Sequence, residues 1–394
     1  MSRKDKREEN KKHESRPKKK IIIKLPEFKG LSKSQITSAV VIVVMLLMVL
    51  LITNYSDIGI VLNKHITDED VTMIELIGSN NKIYPYYNEV LIASSSKLAT
   101  YNKYGRKTWD LDMQGAIDSK IATCGKYLQV INTDKSIVYI YSDKYETAQI
   151  RIEGNIISGT INARGDSVIE YEGSGNKTTL AIYDKHGKAK YNVKLSNNVI
   201  GQYVLSDDSS RLAYVGVNIN GISATSIVEL IKLKEVENES QVEKIATEAN
   251  TLIYELGFDG NNLIYRTDRD VVSINLNNKS KKVSNVEQTG VVALDVDDGR
   301  CSYVEFKNGK YLLGIKKIGG KETKEVDVKE LPKHFIYLND KVYVCFQKDM
   351  YIYNNNKMQI KEYKSDMVIT KPVVLGKGNN IAFLVSNKLI IYTI

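Results

Sequence analysis

From about residue 80 onward the chain repeats one pattern of apolar and polar positions. An apolar strand runs into a short turn of Gly, Asp, Asn or Ser, and a second alternating strand follows. The copies read "IYPYYNEVLIA", "IATCGKYLQVI", "INARGDSVIEY", "LSDDSSRLAYVGV", "LGFDGNNLIYR", "LDVDDGRCSYV", "YLNDKVYVCF" and "LGKGNNIAFLV". With Asn88, Gly125, Gly165, Ser209, Gly260, Gly299, Asp340 and Gly378 as anchors, the spacings are 37, 40, 44, 51, 39, 41 and 38. A repeat of about 40 residues is the period of a propeller blade.

A second phase repeats between these copies. "LATYNKYGRKTWDL", "VYIYSDKYETAQIRI", "LAIYDKHGKAKYNVKL", "VVSINLNNKSKKV", "YLLGIKKIGGKETKEV" and "MYIYNNNKMQIKEY" each read as a hairpin with Gly or Asn at the turn. Each unit therefore holds four short strands. The fold class is all-β: a propeller of eight four-stranded blades, with seven as the alternative count. The last unit ends in its third strand, "KLIIYTI", and one strand before the first unit, Val71–Leu76, is unassigned. Pairing that strand with residues 388–394 closes the ring and removes the exposed edges that endanger all-β folds.

A different pattern precedes the repeats. Residues 36–52, "ITSAVVIVVMLLMVLLI", carry no charge and are apolar on every face. With its uncharged flanks the segment spans about 19 residues, about 28 Å as a helix, which matches a bilayer core. The tail before it exceeds 30 residues and no A-x-A-like site follows, so a cleaved signal peptide fits poorly. Residues 14–33 hold seven Lys and Arg, whereas residues 54–73 hold only Lys64. The positive-inside rule places the N-terminus in the cytoplasm and the propeller outside the cell membrane. The predicted organisation is a basic cytoplasmic tail (1–33), a transmembrane signal-anchor helix (34–53), a stem (54–69) and an extracytoplasmic propeller (70–394). The basic tail is also suited to anionic lipid headgroups.

Charge and composition narrow the chemistry. The net charge is +9, but residues 1–33 carry thirteen basic against five acidic groups, and the remainder 43 against 42. The propeller is thus nearly neutral and lacks the footprint of a nucleic-acid binder. Cys124, Cys301 and Cys345 are far apart, lack C-x-x-C spacing and lie in or beside strand-like runs. They read as small buried hydrophobes. The four histidines, at 13, 65, 186 and 334, are equally scattered, so no metal site is read.

Four motifs imitate sites. Asp207 and Asp208 in "LSDDSSRL" could be metal ligands, yet the same position holds Gly, Asn or Lys in other copies, so they read as a turn. "RGD" at Arg164–Asp166 occupies the same turn. "DVDDG" at Asp295–Gly299 resembles a calcium loop, but its Gly falls one place early and position twelve is Phe306. "GSGNK" at Gly173–Lys177 reads as a hairpin tip.

"LATYNKYGRKTWDLDM" resembles the quinoprotein-like (PQQ-like) propeller repeat at Gly105 and Trp109, with Tyr191 at the matching place two units later. "LSDDSSRLAYVGV" resembles the Asp-turn repeat of WD-like and periplasmic propellers. The order of anchor, stem and eight units is similar to an uncharacterised family of single-pass bacterial membrane proteins with a propeller ectodomain. The calcium ligands and catalytic Asp of quinoproteins map onto no position, so no cofactor is implied.

Two functions are compatible with this layout. One is a module that binds or scaffolds a protein or cell-envelope ligand. Its longest loop between second and third strands, Val217–Ser226, offers Asn218, Asn220, Ser223 and Thr225 as ligand-facing candidates. The other is an extracellular enzyme of dehydrogenase, lyase or glycosidase type with a site in the channel. Enzymes of these types need convergent carboxylates, a His base or a metal. The scarcity of His and the scatter of acidic residues favour the binding module.

Overall fold

In the computed structural model the described residues run from 71 to 394, apart from 78–79, 174–177, 196–198, 219–223, 234–241, 286–290, 298, 321–324, 356–358 and 371. The tail, the apolar segment and the stem, residues 1–69, lie outside them, as do Asn220, Ser223 and most of "GSGNK". Among the described residues no helix is long and apolar enough to cross a membrane.

These residues form 32 strands in eight four-stranded antiparallel sheets. Blades 1 to 7 span 82–112, 120–151, 155–195, 199–249, 253–285, 291–328 and 334–364. Blade 8 takes 373–393 and its outer strand from Val71–Glu75, which pairs with Lys388–Thr393 from Val71↔Tyr392 to Glu75↔Lys388. The count of eight and this closure follow the sequence pattern. Each of the eight anchors lies between the first and second strands of its blade, as Gly125 does between Lys120–Cys124 and Tyr127–Asn132.

No single core exists. Eight apolar layers fill the spaces between neighbouring sheets. Leu91 and Leu98 of blade 1 meet Leu128, Val130 and Tyr141 of blade 2. Tyr343 and Ile352 of blade 7 meet Ile381, Phe383 and Ile390 of blade 8. The layer that closes the ring joins Ile74, Leu389 and Ile391 of blade 8 to Val90 and Ile92 of blade 1. Each side chain of this size contributes about 1.5–3 kcal/mol when fully buried.

This layering corrects one expectation. The second strands were predicted to alternate, yet Tyr127–Asn132 is buried at five consecutive positions and Asn380–Val385 likewise. A sheet sandwiched between two others is covered on both faces, so its middle strands lose alternation. The outer strands keep it, as Lys107–Asp112 and Gln359–Lys364 do, and so does the second strand of blade 5, Asn262–Thr267. Trp109, on the first of these, docks edge-on against Tyr141 of blade 2 with ring centroids 5.8 Å apart. Cys301 and Cys345 are buried as expected, but Cys124 is only half-buried because it ends a first strand beside a turn.

The first strands of neighbouring blades pack against one another (blade 1 on 2, 2 on 3, 4 on 5, 6 on 7, 8 on 1), so they surround the axis. One face of the ring carries the first–second and third–fourth turns and is called here the turn face. The other carries the second–third turns and the links between blades, and is called the connector face.

Candidate functional site

The turn face is clasped from blade to blade. Tyr87 N donates to Gly125 O at 2.8 Å, and the Tyr86 hydroxyl to Lys126 O at 2.8 Å. Asn162 Nδ2 donates to Ser206 O at 2.8 Å, and Arg211 Nη2 to Asn261 Oδ1 at 2.8 Å. The Tyr343 hydroxyl donates to Gly378 O at 2.7 Å, and Gly376 N to Tyr87 O at 3.1 Å. Three of the motifs that imitated sites, at Asp207–Asp208, Arg164–Asp166 and Asp295–Gly299, belong to this clasp or to its turns.

Asp208 Oδ1 accepts from the Ser210 hydroxyl at 2.6 Å, the Ser206 hydroxyl at 2.7 Å and the Ser210 N–H at 3.0 Å. These bonds, the Ser210 hydroxyl first, hold its carboxyl well below the usual range. The group thus works as a turn brace. The Asp of "RGD", Asp166, is buried and paired with Lys190 at 2.6 Å, so it is not presented to a partner. In "DVDDG", Asp295 Oδ2 accepts Tyr337 N at 2.8 Å and Asp297 Oδ2 accepts Asn339 N at 2.7 Å. Both carboxylates bind backbone of the next blade.

The connector face holds the predicted loop candidates, with a difference. Asn218 and Thr225 are not loop residues. They end Arg211–Asn218 and begin Thr225–Lys232, and they pair with each other in the ladder. The strands run further because their polar ends still form ladder bonds. Asn220 and Ser223 lie outside the described residues. Thr225 bridges to Thr251, and the Ser226 hydroxyl donates to Thr251 O at 3.0 Å while accepting from Ile253 N at 3.3 Å. The end of the blade 4 hairpin is therefore locked to the entrance of blade 5.

That entrance leads along a cavity of about 440 Å³ on the axial side of blades 5 and 6. Ile253–Asp259, Asn262–Thr267 and the end of Val291–Asp297 wall it. Glu255 and Arg266 stand toward the connector end, Asp259 and Asp297 toward the turn end, with Phe258, Ile264 and Val296 along the wall. Gly257 also lines it, and a Cβ there would meet no heavy atom within 4 Å. Arg266 Nη1 lies 3.2 Å from Glu255 Oε1 and donates to Leu294 O at 3.2 Å. Burial pushes the neighbouring Asp295 carboxyl up, opposed by the N–H groups of Tyr337 and Val296 and assisted by Glu255 and Asp297.

A second polar group lies across blades 2 to 4. The Ser158 hydroxyl donates to Glu170 Oε2 at 2.6 Å and meets the Tyr203 hydroxyl at 2.6 Å. Ser158 has one proton, so Tyr203 donates to it. Burial raises Glu170, while Ser158 and Lys120 hold it down. Lys120 donates to Ile157 O. This relay ties first strands together and includes no imidazole. Sequence reading missed it and the cavity alike. No local motif marks residues that meet only after the ring closes.

Exposed apolar side chains divide between the faces. The connector face carries Leu252 and Tyr254 at the entrance of blade 5, Phe306 and Leu331 in and after blade 6, and Met367 and Val368 after blade 7. The turn face carries Tyr87, Tyr104 and Tyr145 on blades 1 and 2 and Val242 at the start of the outer strand of blade 4.

The chain matches, over residues 63–393, a family of unknown function (DUF5711). No curated protein matches it significantly. Among solved structures it is similar to BamB from Moraxella catarrhalis, at 11% identity and TM-score 0.53, covering 82% of this chain and 99% of that one. It is also similar to the C-terminal WD40 domain of Sif2, at 12% identity and TM-score 0.57, covering 82% and 98%. At these identities the likeness is one of fold.

Proposed function

Because the chain belongs to that family of unknown function, DUF5711, we propose its role from its own geometry: a membrane-anchored, extracytoplasmic propeller that binds a protein or envelope ligand. The observation that carries the binding role is the cavity beside blade 5, open at Gly257, with the exposed Leu252 and Tyr254 preceding its first lining residue, Glu255, in the chain. Its turn end, with Asp259 and Asp297, and its apolar wall suit a cationic group on an apolar stem, while Glu255 at the connector end is paired with Arg266. A lysine or arginine side chain of an extended peptide has that form. Asp295, the buried carboxylate an enzyme reading would draw on, is committed to the Tyr337 N–H of blade 7. Support for the anchor is the uncharged run 36–52 and the seven-to-one bias in basic residues across it.

Two measurements test this reading. Protease added to intact cells should digest the region after residue 54 and spare the tail. Digestion of the propeller only after lysis would reverse the topology. On arrays of short peptides the full chain should retain sequences with Lys or Arg beside apolar residues, and Gly257→Trp should lose them. Equal retention by both proteins would remove the cavity from the account.

A further inference from the structure

The place where the chain enters the propeller points to a second surface. Val71 pairs with Tyr392 at the end of the third strand of blade 8, so residue 71 lies on the turn face. It sits beside blade 1. The Thr72 hydroxyl donates to Lys103 O at 3.1 Å, and Gly105, at φ 76°, leaves room for Thr72 and Ile74 against that turn. Residues 54–70 add at most about 60 Å of extended chain between the apolar segment and this point.

Around the entry point the turn face has a distinct composition. Tyr104, Tyr87 and Tyr145, on three neighbouring turns of blades 1 and 2, are 66%, 63% and 77% exposed. The turns of blades 1 to 3 on this face hold Lys103, Arg106, Lys126, Lys144, Arg164, Lys185 and Lys188. The acidic residues in or bordering these turns are four: Asp143, paired with Lys126 at 2.8 Å, Glu89, paired with Lys144 at 2.7 Å, the buried Asp166, and Asp184, which braces its own turn. In the adjoining blade 4 the same turn holds Asp207 and Asp208, which bound the basic patch.

Tyr87 adds an independent sign. Its φ of 56° is left-handed, where the same turn uses Gly125, Gly165, Gly260, Gly299 or Gly376 in five other blades and the small polar Ser209, or Asn339 and Asp340, in the remaining two. A side chain there costs about 1–2 kcal/mol. The main chain of Tyr87 is held by Gly125 and Gly376, but its ring is 63% exposed and adds little packing in return. Tyrosine and lysine together are the side chains that settle at a headgroup layer, one by its amphipathic ring and the other by charge.

We propose that the turn face of blades 1 to 3 docks on the anionic lipid headgroups of the membrane that holds residues 34–53, seating Tyr87, Tyr104 and Tyr145 at the interface. The cavity's connector end then points away from the bilayer, toward its partner. This rests on the anchor reading of residues 34–53.

The test uses the full chain reconstituted in vesicles. Trp109→Phe removes the single tryptophan, and Tyr104→Trp, Tyr145→Trp or Phe306→Trp then supplies one reporter each. Brominated phosphatidylglycerol should quench the reporters at 104 and 145 by roughly half and leave 306, on the connector face, nearly untouched. Salt of about 1 M, where the Debye length is about 3 Å, should relieve the quenching. Lys103→Glu combined with Arg106→Glu and Lys185→Glu should abolish it, with vesicle flotation retained. Quenching equal at all three positions would overturn the proposal. So would flotation without quenching at 104 and 145, which would assign the basic face to a soluble acidic partner. Failure to float with any vesicle would instead overturn the anchor reading itself.

Discussion

Ile74 stands opposite Leu389 in the ladder that joins the first described strand to the last, and both side chains are buried in the layer between blades 8 and 1. The ring is thus fastened by an outer strand from one end of the propeller on a third strand from the other. Ile74→Ala leaves a cavity at this fastening, and its expected cost is about 2–5 kcal/mol. Removal of residues 388–394 should do more harm, since it takes the partner ladder too. Thermal unfolding of the full chain checks both. An Ile74→Ala protein that melts with the wild type would show that closure does not depend on this strand.

Tyr87→Gly should raise stability, because glycine adopts the left-handed turn without steric cost. The expected gain is about 1 kcal/mol, the lower part of the left-handed penalty. The same change should weaken association with anionic vesicles. A loss of stability would mean that the tyrosine ring stabilises the propeller itself.

Asp208→Ala should cost about 1 kcal/mol at neutral pH, comparable to loss of a cap, and Asp207→Ala much less. Asp208 is held ionised by the hydroxyls of Ser210 and Ser206. A depressed carboxyl stabilises the fold above its unfolded value of about 3.9, and that contribution fades as pH falls below it. The gap between wild type and Asp208→Ala should therefore narrow in acid. Bound calcium or zinc lost with the substitution would overturn the turn-brace role.

Glu305 gives the opposite sign. It is buried and faces Glu325, and burial followed by that carboxyl raises it, with Lys307 at 3.4 Å opposing. A raised carboxyl favours the protonated folded state, so its penalty appears as pH rises above the unfolded value of about 4.3. Glu305→Gln should stabilise the protein at pH 7 and make little difference in acid. Denaturant midpoints at the two pH values decide it. A destabilised variant at pH 7 would show that the ion pair with Lys307 dominates.

The architecture was readable because it is local. Gly, Asp and Asn at the first turn of every unit reflect backbone needs within a few residues, and so the anchors at Asn88 through Gly378 fell where the turns are. What stayed hidden is what the ring brings together. Asp295 and Tyr337 are 42 positions apart, and the bond is to a backbone N–H, which leaves no trace in residue type. Ser158, Glu170 and Tyr203 come from two blades and no shared motif. The cavity owes its open wall to Gly257, which in sequence looks like any strand glycine. Asn218 and Thr225 misled because polar strand ends resemble loop.

The central claim is that a partner engages the connector face at the cavity of blade 5. The most direct measurement places a photoreactive amino acid at Tyr254 in the full chain, in intact cells, with Tyr145 on the turn face as the control position. The account predicts a discrete protein adduct from position 254, its absence from 145, and its loss when Gly257→Trp fills the cavity in a protein that still melts normally. No adduct from 254, or one that survives Gly257→Trp unchanged, would contradict it.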